Sequence, residues 1–172
     1  MDTMMITLRA VHVLASAFWV GAALMLVAFV APTVRALGPD GARFMQRLLA
    51  QSRFPEAMGI AGMLATVAGL GLLWAVSGGL QWPWLLSPAG ATLTLAALLG
   101  VAAFAVGMAV NKPAAAGLAA LGAEIARRGA PSAEQAQRLA RYQRQLRLGG
   151  LWGAALLVVS TLGMGVARYL GP

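Results

Sequence analysis

At 172 residues, 60% of them hydrophobic and only 10% charged, the chain lacks the polar surface that a soluble domain needs. It has no Cys, one His and five acidic residues, which excludes disulfide frameworks, thiolate metal centres and thiol redox chemistry. The formal charge of +8 would point to nucleic acid in a soluble protein, but here no aromatic platform or folded nucleic-acid module accompanies it, so a nucleic-acid partner is not expected.

A helix needs roughly 20 apolar residues to cross the hydrocarbon core. Four stretches meet that length: residues 10–34, 57–76, 88–110 and 148–167. Their apolar runs are continuous rather than alternating, which argues against barrel strands. Between the first two, Gly38-Pro39-Asp40 predicts a stop followed by a short amphipathic helix. In that helix Asp40 is the expected N-cap, and Phe44, Leu48 and Leu49 oppose Arg43, Arg47 and Arg53. The second connection, 77–87, holds no charge and contains Gly78-Gly79 and Trp82-Pro83-Trp84. Ser87-Pro88 reads as N-cap and first helical position of the third span. The third connection, 111–147, reads as a long loop with a basic helix. Ser132 and Gln135 form the expected capping box, ahead of Arg138, Arg141, Arg144 and Arg147.

Eleven of the thirteen Lys and Arg residues fall in the first and third connections, which predicts that both are cytoplasmic. The termini and the Trp-rich connection then face outward, with Trp74, Trp82 and Trp84 at the outer interface and Trp152 at the inner one. The first stretch is longer than a signal-peptide core and lacks a basic region before it, which leaves a cleaved leader as the lesser alternative. It reads as a retained span with a translocated tail carrying Asp2. The expected fold is all-α: a single integral-membrane domain over residues 1–172, an antiparallel four-helix bundle with amphipathic cytoplasmic loop helices. The expected location is a bacterial-type inner membrane, with anionic lipid headgroups meeting the basic loops. Small residues at helical spacing, namely Gly59, Gly62, Ala65 and Gly69, Gly100 and Gly107, and Gly149 and Gly153, are the expected packing seams.

Ionisable groups inside spans are costly, so His12, about one turn inside the first span, is the leading candidate site. An imidazole can ligate haem iron or copper. Arg9 shares its helical face and could pair with a haem propionate. Met164, just inside Arg168 on the fourth span, is expected at similar depth, and a His/Met pair suits haem or copper. The competing expectation is that His12 bonds a backbone carbonyl or a Ser and that Met164 is packing filler. Met25, Met58, Met63 and Met108 fall toward the other half of the membrane. Glu56, after Pro55, either favours a helix N-terminus or pairs with Arg53 or Arg35.

The stretch Arg9-Ala-Val-His-Val-Leu-Ala-Ser-Ala-Phe-Trp-Val-Gly21, followed by Val30-Ala-Pro32, resembles the opening of copper-resistance D-type (CopD-like) membrane proteins. The ending Gly163-Met164-Gly-Val-Ala-Arg168-Tyr169 is similar to the last span of small members of that group. The group in turn resembles HemJ-type protoporphyrinogen oxidases, in which a first-span His is haem-linked, and His12 matches that position. The resemblance carries over His12 alone and implies haem b or copper held near the outer face; by helical face and expected depth, Arg9, Met164 and Arg168 join His12 as candidate cofactor-binding residues, with His12 and Met164 as candidate metal ligands. The alternative is an accessory subunit of a larger membrane complex, or a homo-oligomer, with no cofactor of its own.

Overall fold

The computed structural model describes residues 3–170, so Asp2 lies outside the described residues. Four helices are long and apolar enough to cross a membrane: α1 (Thr3–Ala36), α3 (Phe54–Val76), α5 (Pro88–Arg128) and α6 (Ala133–Ala167). Two shorter helices, α2 (Pro39–Ala50) and α4 (Trp82–Leu85), occupy the first and second connections. The all-α bundle expected from the apolar runs is therefore present. Successive long helices run antiparallel, and the heaviest packing pairs α1 with α3 and α5 with α6. Packing of α3 on α5, and lighter packing of α1 on α6, closes the ring.

Two corrections concern the end that carries the basic residues. The helix after the first span begins at Pro39, and its N-cap is Gly38 rather than Asp40. Gly38 takes φ 54°, a left-handed conformation that glycine adopts without a Cβ clash. Asp40 is pushed into the first turn, where it pairs with Arg43 at 3.2 Å. Second, the third connection is not a long loop. Helix α5 runs unbroken to Arg128, and only a short turn separates it from α6. Glu56 takes the first of its two expected places, exposed in the first turn of α3 at the helix N-terminus, and pairs with neither Arg53 nor Arg35 among the described residues.

The continuity of α5 has a local cause. Pro113 cannot donate a backbone hydrogen bond, and its ring crowds the carbonyl four residues back. Instead of breaking, the preceding turn widens: Gly107–Asn111 is π-helical, and the Lys112 N–H bonds the Gly107 carbonyl. The same device occurs in α1, where Leu26–Val30 is π-helical just before Pro32 and the Ala31 N–H bonds the Leu26 carbonyl. At about 1.5 Å per residue, the 41 residues of α5 span roughly 60 Å, about twice the hydrocarbon thickness. The α5–α6 hairpin therefore extends well past the apolar stretches at its basic end. Helix α2 packs against that projection, with the Gln46 side chain lying on Gly122.

Other caps match the sequence reading. Ser87 accepts from the Gly90 N–H at 3.1 Å at the start of α5. Ser132 and Gln135 exchange both bonds of a capping box, at 2.9 and 3.2 Å, at the start of α6.

The α5–α6 interface is a ladder of small residues. Gly163 faces Ala96, Gly100 faces Ser160, Gly149 faces Asn111 and Gly117 faces the ring of Tyr142. Small side chains let the backbones approach where lipid supplies no hydrophobic drive. One interhelical hydrogen bond sits in this seam: buried Ser160 donates its hydroxyl to the Ala96 carbonyl at 2.7 Å. Bonds of this type are worth only about 0.6 kcal/mol on average inside membranes. Ser160→Ala is therefore expected to lower stability by about 0.5–1 kcal/mol in a reversible detergent-unfolding titration. A loss above about 2 kcal/mol would mean that the hydroxyl serves more than this one carbonyl.

Candidate functional site around His12

The α1–α3 seam positions the single histidine. On α1, His12 and Trp19 lie seven residues apart and so share a face. On α3, Gly62 and Gly69 have the same spacing, with Ala65 between them. Antiparallel packing sets the two faces together: Trp19 covers Gly62, and His12 covers Gly69. Trp19 is buried, and its ring meets Phe104 of α5 edge-on at 6.2 Å. It anchors the core that Ala61, Ala65, Ala103 and Leu157 complete.

His12 is half-buried and turned toward α3. Its Nδ1 lies 2.8 Å from the carbonyl oxygen of Ala65. A carbonyl can only accept, so Nδ1 must carry the proton and donate. In the neutral ring, Nε2 is then left with its lone pair. No hydrogen bond engages Nε2 among the described residues, nor is it one of their sealed, unpartnered polar atoms. It therefore keeps some exposed surface of its own.

Gly69 makes this placement possible. A Cβ built there would lie 2.8 Å from Cε1 and 3.0 Å from Nδ1 of the imidazole. A side chain at position 69 would force the ring to shift against its carbonyl, the more so the bulkier it is.

The other expected site residues are arranged around the same end of the bundle without joining His12 directly. Arg9 is exposed, one turn from His12 on α1, and has no ion pair among the described residues. Met164 is half-buried on α6, and its neighbour Gly163 packs against Ala96 of α5. Arg168 is exposed, with its guanidinium 4.8 Å from the ring centroid of Tyr169. No hydrogen bond links His12, Met164, Arg9 or Arg168 to one another among the described residues. Residues of the types His, Cys, Asp and Glu form no cluster of three or more there that could hold a metal ion.

Gly69 and Ala65 were legible only as packing residues. Their role in seating the imidazole is a tertiary fact, although the matching seven-residue spacings of His12/Trp19 and Gly62/Gly69 carry its trace. The competing expectation for His12 is met in one respect, since one ring nitrogen does bond a backbone carbonyl. That bond uses Nδ1 and leaves the second nitrogen free.

Fold and site together define a class: an all-helical bundle with four helices long and apolar enough to cross a membrane and one histidine turned toward α3. No protein-family model, curated protein or solved structure matches the chain.

Proposed function

We propose that this chain is an integral protein of a bacterial-type cytoplasmic membrane that binds haem b through Nε2 of His12. The observation that carries the reading is the Nδ1–H bond to the Ala65 carbonyl. Metal-ligating histidines almost always donate their other ring N–H to a carbonyl or carboxylate, which fixes the tautomer and the ring plane. A single imidazole suits haem, because the porphyrin supplies the remaining equatorial nitrogens. Haem would bring one-electron redox chemistry. The protein's own residues orient the ligand nitrogen through Ala65 and Gly69 and keep part of the ring from water. Arg9 and Arg168, both exposed at the same end, offer cations to the propionates. Met164 would be the second residue to hold the group. Eleven of thirteen basic residues at the opposite end support an orientation with the termini outside.

The test is an absorption spectrum of the full-length chain, purified after expression with ample haem, oxidised and reduced, with metal analysis. A Soret band lost in His12→Ala, while the helical circular dichroism is retained, is the expected result. Stoichiometric copper without a Soret band would replace haem by copper at the same ligand. Absence of both, with co-purifying membrane partners, would overturn the cofactor reading in favour of an accessory subunit.

A further inference from the structure

A second site lies at the basic end, on the opposite side of the bundle from His12's cradle in chain depth. A cleft of about 320 Å³ opens between α5 and α6. On one side α6 contributes Arg138, Arg141, Tyr142 and Gln145, and on the other α5 contributes Ala109, Val110, Pro113 and Ala114. We infer that this cleft binds the phosphate-bearing headgroup of an anionic phospholipid, with the start of an acyl chain along Ala109 and Val110.

Three observations converge on that ligand. First, the lining changes character along the cleft. Ala109 and Val110 close the apolar stretch of α5, whereas the α6 wall is cationic and hydrogen-bonding. That is the polarity profile of a lipid at the edge of the hydrocarbon core.

Second, the cations are uncompensated. The ion pairs among the described residues are Arg43–Asp40 and Arg128–Glu124, so neither Arg138 nor Arg141 has an anionic partner among them. Two arginines one turn apart on a helix face present convergent guanidinium donors, which favour phosphate oxygens.

Third, the wall is held in place. The Tyr142 ring packs against Gly117, where a Cβ would come within 2.5 Å of Cζ and 2.8 Å of the hydroxyl oxygen. The close approach of α6 to α5 at Gly117 thus sets the cleft's width.

The inference rests on reading α5 and α6 as membrane spans and is independent of any cofactor at His12. Native mass spectrometry of the full-length chain in detergent, with phosphatidylglycerol or phosphatidylcholine added, tests it. Phosphatidylglycerol adducts should dominate. The double variant R138Q/R141Q should lose them by about ten-fold or more, as expected for two cations at a membrane surface. R144Q/R147Q removes the same charge from the same helix outside the cleft and should change them far less. All four arginines are exposed, so neither pair should alter the helical circular dichroism.

Equal loss in both double variants would overturn the site in favour of diffuse attraction. Equal retention of the two lipids would overturn headgroup recognition while leaving the membrane reading intact, whereas failure to retain any lipid would count against the spans themselves. Inorganic phosphate bound as tightly as phosphatidylglycerol would overturn the lipid in favour of a soluble phosphate ligand.

Discussion

If His12 holds the haem proposed above, Gly69→Val should strip the chain of it while leaving the chain folded. The position lies on α3, more than fifty residues from His12 in sequence, yet it faces the imidazole directly. The added Cβ would sit 2.8 Å from Cε1, closer than real side chains approach, so the ring must swing away. That swing breaks the 2.8 Å bond from Nδ1 to the Ala65 carbonyl. Nδ1 then loses the partner that fixes the tautomer, and Nε2 loses its direction. Losing such an orienting contact typically lowers metal affinity by about 10–100-fold. Haem content per chain, read from the Soret band of the purified variant, should fall accordingly. Gly69→Ala should show the same effect more weakly.

The pair of variants separates seating from mere packing. If Gly69 only lets α1 and α3 approach, Gly69→Val would lower thermal stability but leave the position and relative height of the Soret band unchanged. That outcome would sink the proposed role of Gly69. Adding Gly69→Val to His12→Ala should cost no further haem, because both act through one ligand.

The second large effect is on the fold. Gly149→Leu should destabilise the α5–α6 hairpin more than any exposed substitution. A Cβ at Gly149 collides with Oδ1 of Asn111 and lies 3.2 Å from Val110 Cγ1. Position 149 is buried, so the helices must separate to admit a leucine. Overpacking of this kind costs about 1–3 kcal/mol, or more when the neighbour is fixed. For a chain of this size, about 3 kcal/mol corresponds to a melting temperature lower by roughly 6–12 °C.

Asn111 makes the prediction sharper. Its Oδ1 is buried and has no hydrogen-bond partner among the described residues. Removing an unsatisfied polar atom can be neutral or favourable. Asn111→Ala alone should therefore cost less than about 0.5 kcal/mol, and it should rescue part of the loss in Gly149→Ala. A loss above about 1 kcal/mol in Asn111→Ala would show that the oxygen is satisfied in the folded protein, and the clash argument would fail with it.

The sequence by itself determined the class of the fold. Four apolar runs of spanning length, interrupted by Gly-Pro and by a charge-free Trp-rich connection, leave an all-helical bundle as the only economical solution. Backbone groups in lipid must satisfy one another. Local capping was equally legible at Ser87 and at Ser132 with Gln135, because a cap depends on residues only three positions apart. Local reading failed where two rules competed. Asp40 is a good N-cap by type, but Gly38 and Pro39 begin the helix first. Pro113 is a helix breaker by type, but a π-turn absorbed it, so α5 continues for a further four turns.

The site was half legible. Its histidine stands out because it is the only one and lies in an apolar run. Which face of α1 meets α3 depends on packing across the bundle, and no local signal encodes it. Only the tertiary structure set the Ala65 carbonyl under Nδ1 and placed Gly69, rather than Gly59 or Gly100, where the ring needed space. A hydrogen bond between residues 53 apart in the chain is set by how two surfaces interlock. The periodicity of each surface is written in the sequence, but their relative rotation and depth are decided only when the helices pack.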